Sequence, residues 1–228
     1  MKTNYLSASI PVSKKLVKPA IDWLRIGVHV TGSLSLIMLI VKWQTTGLTF
    51  NPIQFIEQYL GRAAINMLVL SLAVTPVVTL TGWRKLSKHG RALGLYTFFY
   101  FSLHFLTFAV LDYGLKFSEI FRLMVEKPFI IIGSAAGLIL LALATTSFKY
   151  WMKRLGKRWK KLHRLVYLVG GLAVLHNAMA LKGSLTNLSG NIVRPLVLGG
   201  LITLLLILRI PPVKRRVVSL RQKQWIKT

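Results

Sequence analysis

The sequence contains no cysteine. That excludes disulfides, iron–sulfur clusters, thiolate-bound metals and the covalent attachment motif of c-type haem, and it leaves histidine as the best transition-metal ligand. Acidic residues are almost as scarce: five Asp and Glu stand against 31 Lys and Arg. None falls well inside an apolar run, which argues against a proton-relay transporter, since such relays usually include carboxylates. No nucleophile–base pair is visible, no phosphate-cradling glycine motif and no H-E-x-x-H. Residues 1–18 have neither the uninterrupted apolar core nor the small-residue cleavage site of a leader peptide. The first apolar segment is therefore expected to remain in the mature chain. Only eighteen residues follow Ile210, so no soluble nicotinamide or flavin domain is expected after the last apolar segment.

What the sequence has in quantity is apolar length. Of 228 residues, 54% are hydrophobic and 16% charged, and apolar runs of about 18 or more residues recur between basic loops. Six spanning helices are expected, at residues 23–41, 62–80, 92–111, 128–147, 162–181 and 192–210, each about 30 Å long. Asn51-Pro52 marks a turn, and Pro128 opens the fourth helix where its missing N–H costs nothing. The expected class is an all-α membrane protein: a cytoplasmic segment 1–21, a six-helix bundle 22–210 and a basic cytoplasmic tail 211–228. No linker, low-complexity tract or internal repeat implies a second domain.

The net charge of +26 would suit nucleic acid, but its distribution does not. Twenty-four of the 31 Lys and Arg lie in residues 1–25, 81–91, 149–164 and 209–228. These alternate with segments poor in basic residues, the positive-inside pattern, which predicts both termini in the cytoplasm and an attraction of that face to anionic membrane lipid rather than nucleic acid.

Histidine carries the chemistry. In this topology the third and fifth helices both run outward. His104 lies thirteen positions after Arg91 and His176 twelve after Arg164, so the two imidazoles should reach equal depth in the outer half of the membrane. Two such imidazoles can be the axial ligands of a b-type haem, or each can merely hydrogen-bond a neighbouring helix. His163, at the start of the fifth helix, should sit about 20 Å from His176 at the cytoplasmic boundary and, at about 100° per residue, on a different face. His89 is expected as an exposed histidine of the basic loop, with a role as the inner partner of His163 as its alternative, and His29 as a structural hydrogen-bonding residue, with packing against a haem or quinone as its alternative. Arg62 and Arg91, at helix ends, can neutralise haem propionates or a flavin phosphate, or serve as interfacial anchors.

Several stretches in combination resemble a known family. They are Trp23-Leu24-Arg25 through His29, Gly61-Arg62-x-Ala64 through Thr75-Pro76, and Arg91-x-Leu93-Gly94-Leu95 through Leu103-His104. They continue with Lys127-Pro128-Phe129 through Leu141-Ala142-Leu143-Ala144-x-Thr146-Ser147, and with Leu155-Gly156-Lys157-x-Trp159-x-x-Leu162-His163 through Val166-Tyr167 and His176. The sequence resembles the MsrQ (YedZ) family of haem-binding membrane subunits, part of the ferric-reductase-like transmembrane group that includes the NADPH oxidases. The resemblance implies haem b, one or two, ligated by His104, His176 and His163, with Arg91 beside a cofactor and FMN as a further cofactor. It implies a multi-pass protein of the bacterial inner membrane that is not itself the catalytic reductase. Electrons would come from a cytosolic flavin reductase or quinol and pass to a periplasmic molybdenum enzyme of the MsrP type, which reduces methionine sulfoxide in proteins. The oxidases carry one more histidine near the inner end of the third helix; here Gly90 and Arg91 stand there, with His89 slightly offset. Two alternatives remain at this stage, a ferric-chelate or quinone reductase and a non-redox transporter or scaffold.

Overall fold

A computed structural model describes residues 22–180 and 193–225, and all regular structure in them is helical. Asp22 caps the first helix, α1 (Trp23–Thr45), by accepting from Arg25 N–H. Asn51 caps the second in the same way through Gln54 N–H, with Pro52 at the first position, so α2 (Pro52–Thr81) starts ten residues before the expected span. Gly82, at φ +77°, ends it in the left-handed conformation that a glycine adopts without Cβ strain. A 3₁₀ turn (Arg84–His89) leads into α3 (Gly90–Leu106), which continues as a π-helical turn, Thr107–Asp112. A short α4 (Phe117–Glu126) precedes α5 (Pro128–Thr145).

The fifth span departs from expectation. The basic loop before it forms two short helices, α6 (Lys149–Leu155) and α7 (Lys157–Leu162), and the expected span itself begins with a 3₁₀ turn, His163–Leu165, before α8 (Val166–Ala180). His163 therefore precedes the spanning helix instead of opening it. The last helices are α9 (Val193–Ile207) and α10 (Pro211–Trp225), the latter falling where a basic tail was expected. Among the described residues, α1, α2, α3 with its flanking turns, and α5 are long and apolar enough to cross a membrane; α9 and α10 qualify only as one pair, bent by 76°. The expected segments 1–21 and 182–191 lie outside the described residues.

Packing follows the rule for helices in lipid, where small residues let backbones approach. Ala63 and Ala64 of α2 are buried with Leu93 and Tyr100 of α3, and Ala136 and Leu140 of α5 with Val169 of α8 and Ile202 of α9. The two clusters are joined by Phe101, which packs against both and lies on Gly137. α1 is peripheral, its apolar side chains Val30, Leu34, Ile37 and Val41 exposed to the surroundings. It is held by Tyr100, fully buried, whose hydroxyl donates to Gly32 O (2.6 Å) and accepts from Leu36 N–H (3.2 Å), taking both groups of one helical rung.

Pro76 sits inside α2 and cannot donate to Leu72 O, four residues back. Arg209, at the end of α9, fills the vacancy. Its Nη2 donates to Leu72 O at 2.7 Å and its Nη1 to Tyr167 Oη of α8 at 3.1 Å. One guanidinium thus fastens α2, α8 and α9. Arg221 of α10 donates to Thr79 O (2.7 Å) and Val78 O (3.3 Å), capping the last carbonyls of α2 with a cation.

Candidate cofactor site

His104 stands on the last turn of α3, just before the helix loosens into the π-helical turn; His176 stands near the end of the described part of α8. The structure brings their rings to 6.2 Å between centroids, with planes crossing at 82°.

Each ring is held by a backbone carbonyl of the adjacent helix. His104 Nδ1 lies 2.9 Å from Glu57 O on α2, and His176 Nδ1 lies 2.7 Å from Phe129 O on α5. A carbonyl only accepts, so Nδ1 carries the proton in both rings and Nε2 is left with the lone pair a metal requires. The carbonyls are reachable because of what stands four residues later, Gly61 and Gly133. A Cβ on Gly61 would come to 3.2 Å from His104 Nδ1, and one on Gly133 to 2.7 Å from His176 Nδ1. Each imidazole lies where a side chain would otherwise be.

The two half-sites repeat in register. Each carbonyl–histidine pair spans 47 positions, and adding 72 to 57, 61 and 104 gives 129, 133 and 176. The short stretches Gly61-Arg62-Ala63-Ala64 and Gly133-Ser134-Ala135-Ala136 share the same register. α2–α3 and α5–α8 are thus corresponding helix pairs that meet at the histidines within one bundle. The signal available in the sequence was a Gly-x-Ala-Ala followed 40 residues later by His, twice. In that register Arg91 corresponds to His163.

Arg91 and His163 lie apart from this pair, at the end of the bundle that carries the basic loops. Arg91 Nη1 points to Met152 Sδ at 3.1 Å. His163 is stacked on Trp159 (centroids 3.9 Å apart, planes at 28°), and Trp159 Nε1 donates to Thr146 O at 2.9 Å. His163 Nδ1 donates to Trp159 O at 3.1 Å, leaving its lone pair on Nε2, 3.3 Å from Ser147 Oγ. The Ser147 hydroxyl has one proton, and Leu143 O at 2.8 Å is its closer acceptor. His163 therefore shares the tautomer of the two paired histidines.

His89 corrects an expectation. It is buried rather than exposed, because the 3₁₀ turn before α3 folds it inward, and its Nε2 lies 3.8 Å from Asp22 Oδ1. Asp22 also pairs with Lys88, whose hydrogen bond holds the carboxyl below its ordinary pKa of 3.8. His29 Nδ1 lies 3.0 Å from Tyr96 Oη, a structural contact between α1 and α3. Arg62 follows Gly61 and stands close enough to Arg194 of α9 for the two charges to repel. Residues to which the sequence reading gave no role of their own are Gly61, Gly133, Trp159 and Arg209, whose roles depend on which neighbour they face.

Among the described residues no three His, Asp or Glu gather to hold a metal ion. Two imidazoles alone leave most of a transition metal's positions unfilled. The donor set fits a metal that brings its own equatorial nitrogens.

Residues 60–174 match the model of the ferric reductase like transmembrane component family. The chain is similar to the protein-methionine-sulfoxide reductase heme-binding subunit MsrQ of Bordetella pertussis, 40% identical over 70% of this chain and 75% of that one. It is similar to MsrQ of Herminiimonas arsenicoxydans at 38% identity, over 73% of this chain and 74% of that one. It also resembles the magnetosome protein MamZ of Magnetospirillum gryphiswaldense, 36% identical over 70% of this chain but only 26% of that longer one. The chain belongs to the ferric-reductase-like transmembrane family, on its MsrQ branch, and is a multi-pass membrane protein.

Proposed function

We propose that this member of the MsrQ branch is a haem b electron-transfer subunit of the bacterial inner membrane, carrying electrons outward to a periplasmic reductase. The observation that carries the reading is the duplicated half-site: two Nδ1-protonated imidazoles, 6.2 Å apart, each seated on a glycine of the neighbouring helix. The relatives named as heme-binding subunits supply the group that such a donor set fits.

His104 and His176 would hold the haem iron through Nε2. Haem held there would supply reversible one-electron chemistry. The carbonyls of Glu57 and Phe129 keep both rings in the ligating tautomer and raise their basicity. Arg62, next to Gly61 in α2, would put positive charge near the site and suit the carboxylate edge of such a ring.

Six spans with both termini in the cytoplasm, as the charge pattern predicts, place the basic end at the donor side. Arg91 and His163 stand there as the residues of an inner station, for a second haem or FMN. Electrons would arrive from a cytosolic flavin reductase or from quinol and leave to a molybdenum-containing, MsrP-like reductase of protein methionine sulfoxide. In this reading the chain itself would have no methionine sulfoxide reductase activity.

Purified from haem-replete cells, the protein should show a Soret band that shifts on dithionite reduction. His104→Ala and His176→Ala should each abolish the outer haem signal while His163→Ala leaves it. The reduced protein should be reoxidised by the molybdoenzyme with methionine sulfoxide present. A colourless wild-type protein overturns the haem reading; a haem protein that reduces ferric chelates but not the molybdoenzyme overturns the acceptor.

A further inference from the structure

At the elbow between α9 and α10 lies an open groove of about 520 Å³. Arg209, Lys214, Arg215, Ser219 and Gln222 are among the residues lining it. We propose that this groove binds the phosphate headgroup of one anionic phospholipid. The proposal shares with the functional reading only the placement of the basic end at the cytoplasmic leaflet; it does not depend on haem.

The charges come first. The chain's five carboxylates are Asp22, Glu57, Asp112, Glu119 and Glu126. Asp22 is taken by Lys88, and among the described residues no carboxylate pairs with Arg209, Lys214 or Arg215. Three cations facing one groove without a counter-charge favour an anion from outside. Ser219 and Gln222 add neutral donors suited to phosphate oxygens.

The faces of α10 make the groove specific. Val213, Val217 and Arg221 recur at helical spacing and are half-buried, and Arg221 anchors this side on α2. Lys214, Arg215, Ser219 and Gln222 fall on the adjacent face and line the groove. Arg216 and Lys223 fall on a third face and are exposed away from it. Arg209 is fixed by its bonds to Leu72 O and Tyr167, so its charge is preorganised.

The surroundings favour a lipid over a free phosphate. The helix that leads into the groove, α9, exposes Leu201, Leu204 and Ile207, apolar side chains suited to acyl chains. The 76° bend turns α10 from the direction of the span into the plane where headgroups lie. A basic pocket beside a spanning helix on the cytoplasmic side is the recognised environment for anionic headgroups.

The test uses the full chain in phosphatidylcholine nanodiscs doped with phosphatidylglycerol, counting retained lipid by native mass spectrometry after detergent release. Wild type should keep one phosphatidylglycerol about tenfold in preference to phosphatidylcholine. Lys214→Gln with Arg215→Gln should lose at least that preference, while Arg216→Gln with Lys223→Gln, the same change in charge on the outer face, should stay within about twofold of wild type. Lys214→Arg with Arg215→Lys should retain binding, and unchanged helicity by circular dichroism checks the fold of each variant. Equal loss in both charge-deleted pairs would show a diffuse basic surface and overturn the proposal, as would the absence of any preference. Displacement of the lipid by millimolar inorganic phosphate would make the ligand a soluble phosphate and overturn the lipid assignment.

Discussion

Replacing Gly133 with alanine should damage the cofactor site far more than the same change at Gly61. The added Cβ at 133 would stand 2.7 Å from His176 Nδ1 and 2.8 Å from its Cε1. Ordinary contact begins about 3.5 Å away, so the ring must retreat by roughly 0.7 Å. The ring cannot retreat and keep its 2.7 Å bond to Phe129 O, which comes from the same helix four residues earlier. At Gly61 the Cβ would stand 3.2 Å from His104 Nδ1, and a few tenths of an ångström suffice. Loss of a buried hydrogen bond costs about 1 kcal/mol, overpacking about 1–3 kcal/mol, and disturbance of the partner behind a metal ligand typically 10–100-fold in affinity. Gly133→Ala should therefore lose haem 10–100-fold more readily, and Gly61→Ala less than about tenfold. Haem transfer to excess apomyoglobin, followed at the Soret band, measures both rates, and the midpoint potential should move more in Gly133→Ala. Equal effects of the two alanines, or none, would refute the claim that these glycines seat the imidazoles.

The proline–arginine pairing predicts a double-mutant cycle. Arg209→Leu orphans Leu72 O and should cost about 1–3 kcal/mol in thermal stability, most of it recovered when Pro76→Ala restores the missing amide; additive effects in detergent melts would refute the pairing. Asp22 has a folded pKa below 3.8, so its contribution is fully present above that value and is lost as pH falls through the folded pKa. Asp22→Asn should thus melt below wild type near neutral pH, with the gap closing under acid; a gap independent of pH would argue against the Lys88 pairing.

Much of the candidate site was legible early. Equal spacing of His104 and His176 from basic flanks placed them at one depth, because rise per residue is a local property of a helix. His163 was read correctly as distant from that pair, but not as lying ahead of its helix, where Trp159 O captures its ring and the chain takes a 3₁₀ turn. His89 misled because Lys88-His89-Gly90-Arg91 has the composition of a solvated loop, while the structure folds it inward beside Asp22, the cap of α1, 67 positions earlier.

By itself the sequence determined the class of the molecule: the missing cysteines left histidine chemistry and the apolar runs required membrane helices, while the clustered Lys and Arg predict a direction. Only the tertiary structure decided which face of each helix turns inward. In water that face is announced by an apolar stripe, but lipid is as apolar as the bundle's core, so lipid-facing and core-facing side chains here look alike. Close approach chose instead: Phe101 on Gly137, His104 on Gly61, His176 on Gly133. A glycine's lack of a side chain has meaning only once the partner that occupies its space is known.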